Sequence, residues 1–316
     1  MKQNVVFGID IGGTKISGGI FNSSGNIICR ESILIDKMER KQVGNLVIKV
    51  IDHLQTASAN LSLKVTAVGV AVPGIFNAQE GTVWAPNIPG WESFPLHDLI
   101  SNHFTEEVAV EIDNDRACYI LGESWKGAAV GCKHAIFLAV GTGIGAGILV
   151  NGTILRGKSD IAGAIGWMAL TDELIPPYSI HGCFEHHASG KGIAAIAQQG
   201  YNQNNSGTTG ITSKEVFKAY GENEPVAIKS VEHAIEFWGK AVANLVSLFN
   251  PEKIIFGGGV FGPASQFLDD IYRHATKWAQ PISIKQVQLV ITELGGDAGL
   301  YGAGYLVKNH LSGKNG

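Results

Sequence analysis

AIFLAVGTGIGAGILVNGTILRG, residues 135–157, decides the fold, because it repeats the design of NVVFGIDIGGTKISGGIFNSSGN at residues 4–26. Each stretch opens as an apolar strand, turns through clustered glycines, returns as a second strand and turns again through Asn-Gly or Ser-Gly. That pattern predicts antiparallel meanders, with Asn151-Gly152 suited to a two-residue hairpin turn. A nucleotide-binding βα unit would open a helix directly after its glycine loop. Strand pattern follows here instead, so DIGGTK (10–15) and GTGIGAG (141–147) read as hairpin turns. Bare backbone N–H groups in such turns can surround phosphates; each could equally be a tight turn and nothing more.

The repeat implies an internal duplication, hence two similar α/β halves with a cleft between them. Other segments fill in the halves. Residues 41–59 carry apolar positions at helical spacing, from Val43 to Leu54. LKVTAVGVAVPG (63–74) and VAVEIDND (108–115) read as buried strands that stop at loops, and RACYILGESWKGAA (116–129) as a helix. A long amphipathic helix is predicted over about Val226–Phe249, followed by a strand in NPEKIIFGGG (250–259) and a last helix near AGLYGAGYLVKNHL (298–311).

The chain has 316 residues, 45% of them hydrophobic, enough for two domains with their own cores. Lys+Arg 24 against Asp+Glu 28 gives a net charge of −4, without the basic footprint expected of a nucleic-acid or anionic-membrane binder. No apolar run is long enough for a membrane-spanning helix, and MKQNVVFGID lacks the apolar core of a signal peptide. Four scattered cysteines, none in a CxxC pair, are expected to be reduced thiols of a cytoplasmic protein. The unusual number is 41 glycines, roughly twice the ordinary share of about 7%, which implies several tight turns or close backbone approaches.

Taken in order, GIDIGGTK (8–15), GVAVPG (69–74), APNIPGW (85–91), IDNDRACYILGE (112–123), GTGIGAGILVNGTILRG (141–157), GCFE (182–185), IIFGGG (254–259) and AGLYGAG (298–304) cover nearly the whole chain. In this set the sequence resembles the ROK family of sugar kinases and sugar-responsive repressors. The resemblance implies the actin-like (hexokinase, Hsp70, ribonuclease H-like) two-domain α/β ATPase fold. The domains expected are residues 1–116 plus a C-terminal helix at about 300–316, and residues 117–299.

The resemblance also implies an ATP- and Mg²⁺-dependent phosphorylation of a hexose or modified hexose at its 6-hydroxyl. Such a reaction needs a base near the acceptor hydroxyl, a metal-bound triphosphate and donors that fix the sugar. Asp115, at the end of a buried strand, matches the family's catalytic base; its plainer reading is the N-cap of the following helix, and the two roles are compatible. Asp10 is expected to hold Mg²⁺, through water, as a hard oxygen ligand. Gly12, Gly13, Thr14 and Lys15 form one phosphate turn, Gly141, Thr142 and Gly143 the second, and Gly258 and Gly259 face the adenosine. Gly74, Asn87, Asn114, Trp167 and Glu185 are the implied sugar-side residues.

One region departs from the family pattern. Family members carry Glu-x-Gly-His ahead of a CxCGxxGCxE zinc segment, with the glutamate and histidine contacting the sugar. The matching stretch here is Ala164-Ile165-Gly166-Trp167, and the zinc segment reads PPYSIHGCFE (176–185), leaving one of three thiolates, Cys183. His181, His186 and His187 do not have the spacing of a tetrahedral site and are expected to be solvated or capping, so no structural zinc is expected. The loop is instead expected to be held by packing of Pro176, Pro177, Tyr178 and Trp167. An aromatic at the histidine position occurs in family branches resembling β-glucoside kinases, which act on 1-substituted glucosides; Trp167 could offer a face to a sugar ring or aglycone, or fill the core where the metal is lost.

The alternative function is a non-catalytic sugar sensor. Repressors of this family carry an N-terminal helix-turn-helix, whereas this sequence begins directly at the first strand, so a nucleic-acid partner is not expected. The partners implied are a sugar and ATP, in a homodimer.

Overall fold

The computed structural model describes residues 2–35, 42–204, 207 and 209–312. Lys41, the first residue of the predicted helix 41–59, lies outside them, as do residues 313–316. The contact pattern divides the chain into two compact units: residues 1–130, 157–161 and 296–316, and residues 131–156 with 162–295.

The first unit opens with strands β1 (Gln3–Ile11), β2 (Lys15–Phe21) and β3 (Ile27–Leu34), followed by helix α1 (Val43–Asn60) and strand β4 (Leu63–Val72). A small hairpin, β5 (Ile75–Asn77) and β6 (Thr82–Trp84), precedes helix α2 (Leu96–Ser101), strand β7 (Ala109–Asn114) and helix α3 (Asp115–Lys126). The second unit holds strands β8 (Ala135–Val140), β9 (Ile144–Val150) and β10 (Thr153–Ile154) and helices α4 (Tyr178–His181), α5 (Cys183–Ala188), α6 (Gly190–Gln203), α7 (Ser213–Gly221) and α8 (Pro225–Phe249). It ends with β11 (Lys253–Gly257), α9 (Leu268–Ala275) and β12 (Gln288–Ile291); α10 (Ala298–Leu306) returns to the first unit.

The duplication read from the sequence is explicit in the topology. The first sheet runs β3-β2-β1-β4-β7 and the second β10-β9-β8-β11-β12. In both, an antiparallel meander is extended by two parallel strands, β1 pairing with β4 and β8 with β11. The Asn151-Gly152 turn has both residues at positive φ, 52° and 76°, which joins β9 to β10 without splaying them.

Each sheet buries its own core. Val5, Phe7, Ile9 and Ile16 meet Leu46, Val50 and Leu54 of α1 in the first unit. In the second, Ile136, Leu138 and Phe256 meet Trp238, Val242 and Leu245 of α8. The Trp238 indole N–H donates to the Ala188 carbonyl at 3.1 Å, satisfying the polar edge that a buried tryptophan must place.

The first unit reaches beyond residue 116 because α3 and α10 pack backbone to backbone. A Cβ on Gly122 would stand 2.3 Å from the Ala298 carbonyl oxygen, and one on Gly302 1.9 Å from that of Cys118. The AGLYGAGYL helix therefore uses glycine for close approach, at the usual cost in helix propensity.

Candidate active site

In the first unit the site is built at the ends of β1 and β7. Asp10 lies one residue before the end of β1, and the DIGGTK turn closes with the Gly12 N–H donating to the Lys15 carbonyl at 2.9 Å. The start of α10 presses on it: a Cβ on Gly299 would sit 2.8 Å from the Asp10 carboxylate. Burial pushes the Asp10 carboxyl up to about 7, the charge of Asp115 adds to the rise, Lys15 opposes it and Asp297 adds a little more. Asp297 is in turn paired with Arg30 at 2.6 Å.

At the carboxyl end of β7, where parallel α/β sheets present ligand-handling groups, the chain runs Asp113-Asn114-Asp115. The sequence allowed Asp115 to be the N-cap of α3; that place belongs to Asn114. Its Oδ1 accepts the Ala117 N–H at 2.9 Å, and its Nδ2 donates to Asp113 at 3.2 Å. Asp115 is the first helical residue, so its carboxylate is spared the capping bond. Burial raises its proton affinity; the Arg116 charge and then hydrogen bonds, including one from the Tyr119 hydroxyl at 3.3 Å, work in the opposite direction.

Asn87 is exposed on a loop pinned by its neighbours. Ala85, Ile88 and Trp91 are buried, and Trp91 stacks on Phe94 with centroids 4.4 Å apart. Gly74 runs beneath this loop, where a Cβ would meet the Trp84 carbonyl oxygen at 2.1 Å. In this unit the structure gathers Asp10, Asn114 and Asp115 at neighbouring strand ends, with β4 between β1 and β7.

In the second unit the GTGIGAG turn is tied to two helices. The Gly141 carbonyl accepts the Gly190 N–H at 2.8 Å, and the Ile144 N–H donates to Glu185 Oε2 at 2.8 Å. Gly143 leaves the room that Glu185 occupies, since a Cβ there would stand 2.5 Å from Oε2. Thr142 is exposed at the tip and Gly141 opens onto free space. Gly258, at φ 88°, crosses the end of β8 with no room for a side chain beside the Val140 carbonyl, and Gly259 beyond it is open.

The stretch that departs from the family pattern differs from expectation in two respects. Trp167 is 57% exposed on a short 3₁₀ turn, and Pro176 is exposed as well. Of the four residues expected to hold the loop by packing, Tyr178 is the buried one. Nor is His187 solvated. Its Nε2 meets the Tyr178 hydroxyl at 2.5 Å, its Nδ1 meets Nε2 of His233 on α8 at 2.9 Å, and its ring stacks on Phe237 at 4.1 Å. One hydrogen-bonded chain thus links Tyr178, His187 and His233, and either tautomer of His187 satisfies both contacts. Burial and the neighbouring His233, His186 and Lys240 charges hold His187 down at about 4. His186 packs edge-on against Tyr178, whereas His181 is exposed as expected. Cys183 accepts the Leu170 N–H at 3.4 Å. Among the described residues no group of three or more His, Cys, Asp or Glu is arranged to hold a metal ion.

Four contributors lay outside the sequence reading: Tyr119, His233, Asp297 and Gly299. The AGLYGAG motif signalled Gly299 as part of a conspicuous pattern. Tyr119 had only its i+4 spacing from Asp115, and His233 carried no local signal at all.

Comparison with known proteins places this geometry in a class. The ROK family model matches residues 6–310, and the chain belongs to that family, with its actin-like two-domain α/β fold. It is 33% identical to a glucokinase of Halalkalibacterium halodurans over 98% of this chain and 96% of the relative. It is 28% identical to an Escherichia coli N-acetyl-D-glucosamine kinase over 95% and 98%. Among solved structures, a ROK family glucokinase from Streptomyces griseus, in complex with glucose and AMPPNP, superposes with a TM-score of 0.77 at 29% identity, covering 96% of this chain and 98% of that one.

Proposed function

We propose that the protein transfers the γ-phosphoryl group of ATP to the 6-hydroxyl of a hexose or modified hexose. It is an ATP-dependent sugar kinase, and the observation that carries the reading is the Asp10–Asp115 pair. Two part-buried carboxylates, both with raised proton affinity, lie at the ends of β1 and β7 in a chain that matches a kinase-containing family along its length.

The residues fit distinct tasks. Asp115 takes the proton of the acceptor hydroxyl as the new oxygen–phosphorus bond forms and the bond to the β-phosphate oxygen breaks, ADP leaving with the electron pair. Its raised proton affinity makes it a better base near neutrality than an ordinary aspartate. The Gly12–Lys15 and Gly141–Gly143 turns, closed by the Gly12 and Gly141 N–H groups, offer their remaining backbone N–H groups to phosphate oxygens, and Gly258 and Gly259 leave room for adenosine. Asn87, Asn114 and Glu185 are the polar sugar contacts, with Gly74 setting the Asn87 loop.

Asp10 suits Mg²⁺: a hard oxygen donor, part-buried, with two further carboxylates, Asp115 and Asp297, acting on it. When bound with ATP, the ion supplies charge neutralisation of the triphosphate.

Ala164 and the exposed Trp167 replace polar sugar contacts by an apolar face. We infer that substituents at the anomeric carbon or C2 are accepted there, so a glycoside or an acylated hexosamine is preferred to free glucose. The family resemblance further supports a cytoplasmic homodimer, and the net charge of −4 offers no basic footprint for a nucleic-acid partner. No described helix is long and apolar enough to cross a membrane.

The test is ADP release with Mg-ATP across glucose, mannose, N-acetylhexosamines, fructose and β-glucosides. Turnover with at least one, highest for a substituted hexose, is expected. Sugar-induced thermal stabilisation with no turnover on any would support the sensor instead.

A further inference from the structure

Tyr119 lies within the IDNDRACYILGE motif (112–123), where the family resemblance assigns roles to Asn114 and Asp115 alone. It stands one helical turn after Asp115 on α3, so its side chain and that of Asp115 lie on the same face. Its hydroxyl donates to Asp115 Oδ2 at 3.3 Å. We propose that Tyr119 is a positioning residue for phosphoryl transfer, holding Oδ2 of Asp115 so that Oδ1 is presented to the acceptor hydroxyl. The inference rests on the reading of Asp115 as the base.

The choice of a phenol follows from what the base needs. Backbone N–H groups at Asp115 and Arg116 also act on this carboxylate, and Tyr119 is the side-chain hydroxyl that joins them; each wrong rotamer removes the acceptor from line. A cationic donor would fix it, but would also lower its proton affinity by the full Coulomb interaction. A neutral hydroxyl fixes the geometry at a smaller electrostatic cost.

The phenol is also suited to remain a donor. Burial and the nearby charges of Asp115 and Asp10 push the Tyr119 hydroxyl well above its ordinary value, so it keeps its proton wherever Asp115 is ionised. Arg116, next along α3, is the cation that acts on Asp115.

The experiment compares Tyr119→Phe, Asp115→Asn and the double variant in steady-state kinetics with Mg-ATP and the best sugar from the screen. Phenylalanine keeps the ring, so a melting temperature within about 3 °C of wild type is expected. The expected result is a kcat lowered roughly tenfold, KM values for sugar and ATP within about twofold, and no additional loss in the Asp115→Asn background. A merely structural tyrosine would move stability or KM and would cost the same in both backgrounds. Unchanged kcat in Tyr119→Phe, or a tenfold loss repeated on top of Asp115→Asn, overturns the proposal. Near-wild-type turnover in Asp115→Asn would instead remove the reading of Asp115 as base, and this proposal with it.

Discussion

Removing the ring nitrogens of His187 should flatten the acid side of the stability profile. Tyr178 and His233 engage both ring nitrogens in the neutral form, and burial together with the neighbouring charges disfavours a second ring proton. The folded protein therefore binds that proton only near pH 4, against an ordinary value of 6.5. Above pH 6.5 the ring is neutral in both states and the full stability is present. As pH falls from 6.5 through 4 the unfolded chain protonates first, and stability is lost over that window. At about 1.4 kcal/mol per pKa unit the ceiling is roughly 3 kcal/mol; solvent around the partly exposed ring reduces it to about 1–2 kcal/mol. Burial also lowers His233, His186 and His274, so the variant keeps a residual slope in the same direction. Urea denaturation of wild type and His187→Gln at pH 7.5, 6.5, 5.5 and 4.5 isolates the contribution as the difference between the two curves. The variant should start less stable at pH 7.5 and lose about 1–2 kcal/mol less on the way to pH 4.5. Parallel curves would refute the reasoning.

Further substitutions probe other parts of the account. Gly143→Ala places a methyl group against Glu185 Oε2; displacement of the carboxylate should break its bond to Ile144 and lower kcat/KM at least tenfold, with little change in melting temperature. Trp167→Ala removes a side chain that is mostly exposed, so thermal stability should hold within about 0.5 kcal/mol while KM for the preferred substituted hexose rises several-fold in an ADP-release assay. Gly69→Ala would bring a Cβ to 1.9 Å from the Ala303 carbonyl oxygen, and the forced separation of β4 from α10 should cost at least about 2 kcal/mol in chemical denaturation.

Much of this architecture was legible because the two meanders announce themselves through period-2 patterning and turn chemistry. Asn151-Gly152 fixed one hairpin, and the end of β7 fixed the place of Asp115. The assignment of the cap slipped by one residue, to Asn114, because Asn and Asp at adjacent positions satisfy the same capping preference. The glycines of α10 were conspicuous, yet their purpose, contact with α3 and the Asp10 carboxylate, depends on packing between segments nearly 180 residues or more apart. The Tyr178–His187–His233 chain was invisible for the same reason. Its members share no motif, and only the docking of α5 on α8 makes a pair of ordinary histidines into a part-buried hydrogen-bonded unit. Trp167, read equally well as a face for a sugar ring or aglycone and as a core residue, is kept out of the core by a three-residue 3₁₀ turn in which Ile165 takes the buried position instead.

The most direct measurement of the central claim is single-substrate turnover of wild type beside Asp115→Asn, following sugar phosphate formed from Mg-ATP under saturating conditions. Transfer by wild type and a kcat lowered by about 10²–10⁴-fold in the variant, with sugar and nucleotide still bound, is the result predicted. Equal turnover in the two proteins would contradict it.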